Sequence, residues 1–180
     1  MRFVQADAQL FPFEPASVDA AFSRFGVIFF TDPTAAFVNI RRSLKSNGRL
    51  AFVCWRALED NLLDILPLRG CVLTTTRMRP ARSHSLMQTA CAAFLGVAGF
   101  EDIKITACDD QVGSGDLDTM LAVRSRVGAL GKTLRENPEL RGAAVPAVRS
   151  ALAAHAGPDG VSLNAATWVV TARPSGRAPV

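Results

Sequence analysis

The sequence lacks a glycine-rich turn. Before Gly48 the only glycine is Gly26, and the one GxG, Gly113-Ser114-Gly115, has Asp118 where a third glycine would stand. That GxG precedes a polar helix start instead of following a buried apolar strand. It therefore reads as a turn into a helix beginning near Asp116, not as a phosphate or cofactor loop. A nucleotide-dependent oxidoreductase would need such a turn, and stays open as an alternative only on the strength of a shared sheet. Paired cysteines are missing too. Cys54, Cys71, Cys91 and Cys108 lie too far apart for any CxxC, and read as free thiols of a reducing compartment. Only His84 and His155 could join them, so no metal site is expected. No basic segment followed by an apolar run opens the chain, which argues against a signal peptide. The longest span without charge, Ser83 to Phe100, contains Ser, His, Gln and Thr. It falls short of the ~20 apolar residues that a membrane helix needs. A cytoplasmic protein without a membrane span is the expectation.

Acidic residues are absent from Ile65 to Phe100, where Arg69, Arg77, Arg79 and Arg82 supply the whole net charge of +4. No aromatic residue is interleaved with those arginines, so bases would find no stacking platform, and nucleic acid is not an expected partner. The window Gly70–Ala93 has no clear period. One explanation is translation out of frame, since shifting the register by two nucleotides yields a Pro/Asp loop and an Asp-capped helix. Its rival is an Arg-rich patch for phosphate. An out-of-frame window should be irregular or weakly packed. A helix there burying Leu73, Met78 and Leu86 would mark a selected sequence.

The remaining text is orderly. Phe3 and Val4 end a short apolar run, with Asp7 following at the strand's carboxyl end, where open α/β sheets bind ligands. Val18 to Phe22, extended by Val27 to Phe30, is too short for a helix and favours strand. Asp32-Pro33 is a strong helix start. Ala36, Phe37, Ile40 and Leu44 then share one face, leaving Asn39, Arg41, Arg42 and Lys45 largely toward solvent. Asn47-Gly48 is expected to end that helix with a left-handed cap. Leu50 to Trp55 is a nearly continuous apolar strand, as when both faces of a parallel sheet are covered. Phe100 to Ile105 alternates as a strand. Asp116 opens a helix through Met120, Leu121 and Val127, with Gly128 and Gly131 near its end. Asn137-Pro138 starts another, which Pro146 should kink or split. Gly157 to Gly160 is a turn, and Leu163 to Ala172 is a long last strand. Length and the 49% hydrophobic content suit one domain, residues 1–172, with a loose tail over 173–180.

The segments QADAQLFPF, SVDAAFSRFG and DPTAAFVNIRRSLKSNGRLAF, in that order, resemble the class I S-adenosylmethionine-dependent methyltransferases. The likeness is to the small-molecule branch that includes the ubiquinone/menaquinone C-methyltransferases, and covers about a third of the chain. The family's Lys-Pro-Gly-Gly turn is here Lys45-Ser46-Asn47-Gly48, a mild departure. The resemblance implies an α/β, Rossmann-like fold with a mostly parallel sheet and an antiparallel last strand slotted between the fifth and sixth. It implies S-adenosylmethionine as cofactor and a small-molecule methyl acceptor. Asp7 and Ala8 would border the adenine, and Ser23, Arg24 and Phe25 the methionine end. The family's first strand, its Gly-rich turn and the ribose-binding acid have no counterpart, so the domain reads as amino-terminally truncated and impaired. Phe3–Gln5 should then be displaced or abnormally paired, leaving a sheet edge exposed for self-association.

The implied chemistry is an in-line displacement, for which a protein supplies proximity, alignment and, where needed, a base. Aromatic faces favour a cationic sulfonium. Phe25, Phe29, Phe30 and Trp55 are candidates near the carboxyl ends of the strands, Phe29 and Trp55 on the acceptor side, with Arg56 for a polar acceptor. Each aromatic has core packing as its plainer role, and no catalytic base is assigned. A non-catalytic remnant or partner-binding module stays open as the alternative.

Overall fold

The computed structural model describes residues 3–70, 84–113 and 115–176. These residues form two compact units. A sheet unit draws on Met1–Trp55, Ser83–Cys108 and Thr167–Val180, and a helical unit on Arg56–Arg82 and Asp109–Ala166.

In the sheet unit, β1 (Val18–Arg24) pairs in parallel with β2 (Leu44–Trp55), Ala21 opposite Leu50 and Ser23 opposite Phe52. β5 (Gly160–Pro174) runs antiparallel to β2, with β3 (Phe100–Gly113) beyond it. The order β1-β2-β5-β3 is that expected for strands four, five, seven and six, with the antiparallel strand in its expected slot. Between β1 and β2, α1 (Pro33–Ser43) opens on Asp32, whose Oδ1 accepts the Ala35 N–H at 3.0 Å. Proline at the first helical position needs no donor there. α1 and α3 (His84–Val97) both bring side chains to one core. Phe37 is its centre, stacked on Phe94 at 5.5 Å and edge-on to Phe30 and Phe100. Leu50, Phe52, Val170 and Ala172 supply the strand side of that core. The alternate residues Ala51 and Val53 are only half-buried.

Several expectations need correction. The extension Val27–Phe30 is not strand. Phe25 adopts a left-handed conformation, φ 61°, and Gly26–Phe29 follows as a 3-10 turn. Phe3–Gln5, by contrast, is displaced as expected: among the described residues it pairs with no strand, and Phe3 is 83% exposed. α1 stops before Asn47-Gly48, because Leu44 is already extended and begins β2. Gly48 serves packing instead: a Cβ there would lie 2.9 Å from the Lys45 carbonyl oxygen. The residues between Leu44 and Arg49 form an irregularity in the β1–β2 register. Asn39 and Arg41 do not simply face solvent. Arg41 donates Nε to the Gly99 carbonyl at 2.7 Å and Nη2 to that of Ser175 at 2.6 Å. The expected loose tail does not begin at Arg173, since β5 includes Arg173 and Pro174 and Ser175 is held, while residues 177–180 lie outside the described residues. Of the window Gly70–Ala93, His84–Ala93 is helical and not irregular, with Cys91 packed against the core, and residues 71–83 lie outside the described residues. Leu73 and Met78 lie outside the described residues, as does the side chain of Leu86.

The helical unit contains α2 (Leu62–Gly70), α4 (Leu117–Arg124), α5 (Gly128–Glu136) and α6 (Arg141–Ala153). The two-residue β4 (Ala156–Gly157) makes a hairpin with β5. Asp116 caps α4 as expected, its carboxylate accepting the Thr119 N–H at 2.8 Å. α4 ends at Arg124, so Gly128 opens α5 and does not close α4. Gly128 has φ 72°, and a Cβ on it would sit 2.5 Å from Asp64 Oδ1. Asp64, from α2, accepts the Ala129 N–H and so caps α5 from a distant helix. α6 stays a single helix across Pro146, burying Ala144, Val148 and Leu152.

Candidate functional site

The site is built from a loop, a strand and the turn after it. The loop closes on itself first: Asp7 Oδ1 accepts the Gln9 N–H at 2.9 Å, and the Asp7 carbonyl accepts from Phe11 at 2.8 Å. It is then fastened to α1. Asn39 Nδ2 donates to the carbonyls of Ala8 and Phe11, both at 2.9 Å, and Gln9 Oε1 accepts the Asp32 N–H at 2.9 Å. Gln9 and Asn39 are the residues that sequence reasoning missed. An asparagine on a polar helix face carries no periodic signal that a loop will fold back onto it.

These contacts hold Asp7 and Ala8 at the rim of a cavity of about 720 Å³ within the sheet unit. β1 contributes Ser23 and Phe22 to its wall, and the following turn contributes Val27, Phe29 and Phe30. Phe37 and Leu50 reach it from the core. The cavity is thus largely apolar, with Asp7, Gln9, Ser23, Thr31 and Ser43 as its polar residues. Such a lining with few polar groups suits an organic ligand. Asp7 is exposed and Ser23 half-buried.

Among the expected site residues, Asp7, Ala8, Ser23, Phe29 and Phe30 share this cavity, and Arg24, Phe25, Trp55 and Arg56 do not line it. Phe25 stacks on Trp55 at 4.3 Å between ring centroids, 19° from parallel. Its N–H donates to Val53 O, which ties the turn to β2. Arg24 is exposed on β1. Arg56 belongs to the helical unit, where its guanidinium lies 2.7 Å from Asp109 and 3.6 Å from Asp60. That charge already has carboxylate partners. Cys54 and Cys91 pack beside the core, and burial pushes their thiols up to about 11 and about 12. They stay protonated at neutral pH and are poor nucleophiles. Among the described residues there is no cluster of three or more potential metal ligands, and no helix long and apolar enough to cross a membrane.

Residues 1–52, which include the loop and strand of the cavity, match the family described as a methyltransferase domain. The chain is similar in structure to YcgJ of Bacillus subtilis, at 19% identity and a TM-score of 0.55, over 98% of this chain and 72% of that one. It is also similar to BH2331 of Bacillus halodurans C-125, a candidate methyltransferase, at 17% identity and a TM-score of 0.51. That match covers 95% of this chain and 70% of the other. The fold is that of the Rossmann-like methyltransferases. No curated protein matches the chain at a significant level.

Proposed function

We propose that the cavity of the sheet unit receives the adenosyl part of S-adenosylmethionine, and that the chain serves methyl transfer to a small apolar or aromatic acceptor. The observation that carries this reading is the gathering of Asp7, Ala8, Ser23 and Phe29 around one cavity inside the matched segment. The resemblance to the ubiquinone/menaquinone C-methyltransferase branch supports an acceptor of that apolar kind.

The residues present fit the cofactor in part. Asp7 offers an acceptor to an amino or hydroxyl group, Ala8 leaves room for a flat ring, and Val27, Phe29 and Phe30 give the cavity an apolar wall. The cofactor supplies a sulfonium-bound methyl group, whose transfer needs alignment more than covalent help. Ser23 lies at the end of β1, where it can accept or donate one hydrogen bond. The Phe25–Trp55 stack offers an aromatic face to a cation or to an apolar acceptor. The described residues contain no Gly-rich turn and no second acid for a ribose. Each missing charge-assisted hydrogen bond is worth roughly 1.5–3 kcal/mol. Lacking two or three lowers affinity by several orders of magnitude, so binding by this chain is weak. Calorimetry with S-adenosylmethionine tests this. The expected result is weak binding, made weaker by Asp7→Ala. Micromolar binding abolished by Asp7→Ala would show a full site and overturn the impaired reading.

A partner-binding role is favoured by a second observation. Because the Phe25 N–H points to β2, alternation turns the N–H and C=O groups of Ala20, Phe22 and Arg24 to the other edge of β1. No strand pairs with that edge among the described residues, and Phe22 is 73% exposed. Such an edge is a template for self-association. Sedimentation of the wild type should show a dimer that Phe22→Asp dissociates. A monomer at every concentration would remove this reading.

A further inference from the structure

Continuing the β2–β5 register one step past Leu50 and Ala172 sets Arg49 opposite Arg173. Lys104 on the next strand, β3, lines the same groove of about 580 Å³. Three cations therefore stand side by side on three neighbouring strands, on the sheet face away from Phe52 and Phe37. Like charges directly opposite across strands are destabilising. Asp102 is the one acid in the lining. Among the described residues none of the three cations forms an ion pair, and all three are exposed. The floor is backbone and small side chains, Ala51 and Thr171, which leave the space above the charges open.

A row of cations that repel one another, with a single carboxylate nearby, is complementary to a compact multivalent anion. We propose that this groove binds a small phosphate anion of the pyrophosphate class, free or as the terminal phosphates of a nucleotide. Two phosphoryl groups span neighbouring strands about 4.8 Å apart, so one anion can meet Arg49 and Arg173 together, with Lys104 at its end. Arginine forks suit such oxygens. The groove shares only Leu50 with the cavity at Asp7 and does not depend on the methyltransferase reading.

The test is thermal unfolding and calorimetry of the full chain with pyrophosphate, at fixed ionic strength set with sodium chloride. Pyrophosphate should raise the unfolding midpoint of the wild type. Arg49→Gln and Arg173→Gln should each weaken binding roughly tenfold. Arg173→Gln should also raise the midpoint without anion, because it removes a repulsion, while Lys132→Gln should leave binding unchanged. Equal responses to pyrophosphate in the wild type and both arginine variants would overturn the proposal. So would a single-stranded RNA that binds with affinity growing with length while pyrophosphate does not bind.

Discussion

The two units are built from different residues. All eleven phenylalanines and both tryptophans lie in the sheet unit, and the helical unit has no phenylalanine, tyrosine or tryptophan. The sheet unit packs rings on rings around Phe37. The helical unit packs aliphatic residues such as Met120, Leu134, Val148 and Leu152, and brings Asp64 and Arg124 together, partly buried. Large flat side chains leave a shaped cavity at a sheet edge, whereas small aliphatic ones close tightly between helices. The candidate cofactor cavity lies where the aromatics are. Trp55 and Trp168 also make fluorescence a probe of the sheet unit alone.

Phe37→Ala should have the largest effect. Removing a fully buried ring costs about 3–5 kcal/mol, and urea unfolding followed by tryptophan fluorescence should show it. A loss below about 1 kcal/mol would mean that the core collapses onto the gap, and that ring packing does not set the sheet unit apart.

In the helical unit Asp64 has the corresponding place. Asp64→Ala removes the distant cap of α5 and leaves the partly buried Arg124 without its carboxylate. A loss of about 1–3 kcal/mol is expected from circular dichroism of the helices, with Asp64→Asn recovering part of it. Burial raises the Asp64 pKa, against the opposing pull of Arg124 and the Ala129 N–H. Its charge therefore costs stability above that raised pKa. The cost is relieved as pH falls through it toward the ordinary carboxylate range. If Asp64→Asn flattens no part of the acid limb of the stability profile, the pair is not coupled to folding.

A smaller loss, about 1 kcal/mol, is expected for Asp32→Ala, and it should appear in the fluorescence transition because α1 belongs to the sheet unit. The thiols give the mildest contrast. Cys54 and Cys91 have raised pKa values in the folded state, so the stability they contribute is present below pH 9 and is lost as pH rises toward 11–12. Iodoacetamide at pH 8 should modify the exposed Cys108 well before either. Equal rates would show that the sheet-unit core opens readily.

The sheet unit was also the more legible one. Asp32-Pro33, the apolar run at Leu50 and the alternation from Phe100 each have a local cause, and each element formed where those causes act. The left-handed Phe25 that ends β1, and the folding of the loop at Asp7 onto Asn39, depend on contacts distant in sequence and left no pattern. In the helical unit Gly128 was misplaced because its partner, Asp64, comes from another helix. Five of the expected site residues share the cavity: Asp7, Ala8 and Ser23 came from the family resemblance, Phe29 and Phe30 from the placing of aromatics near the strand ends, and all five followed from the sequence. The supporting Gln9 and Asn39 did not.

The central claim is that the loop and strand of the sheet unit form the cofactor site. Hydrogen exchange with and without millimolar S-adenosylmethionine tests it most directly. Protection should be confined to the backbone of Asp7–Phe11 and Ser23–Phe30 and should be lost in Asp7→Ala. Protection of α2, α4 or α5 instead, or protection at Asp7–Phe11 that persists in Asp7→Ala, would contradict it.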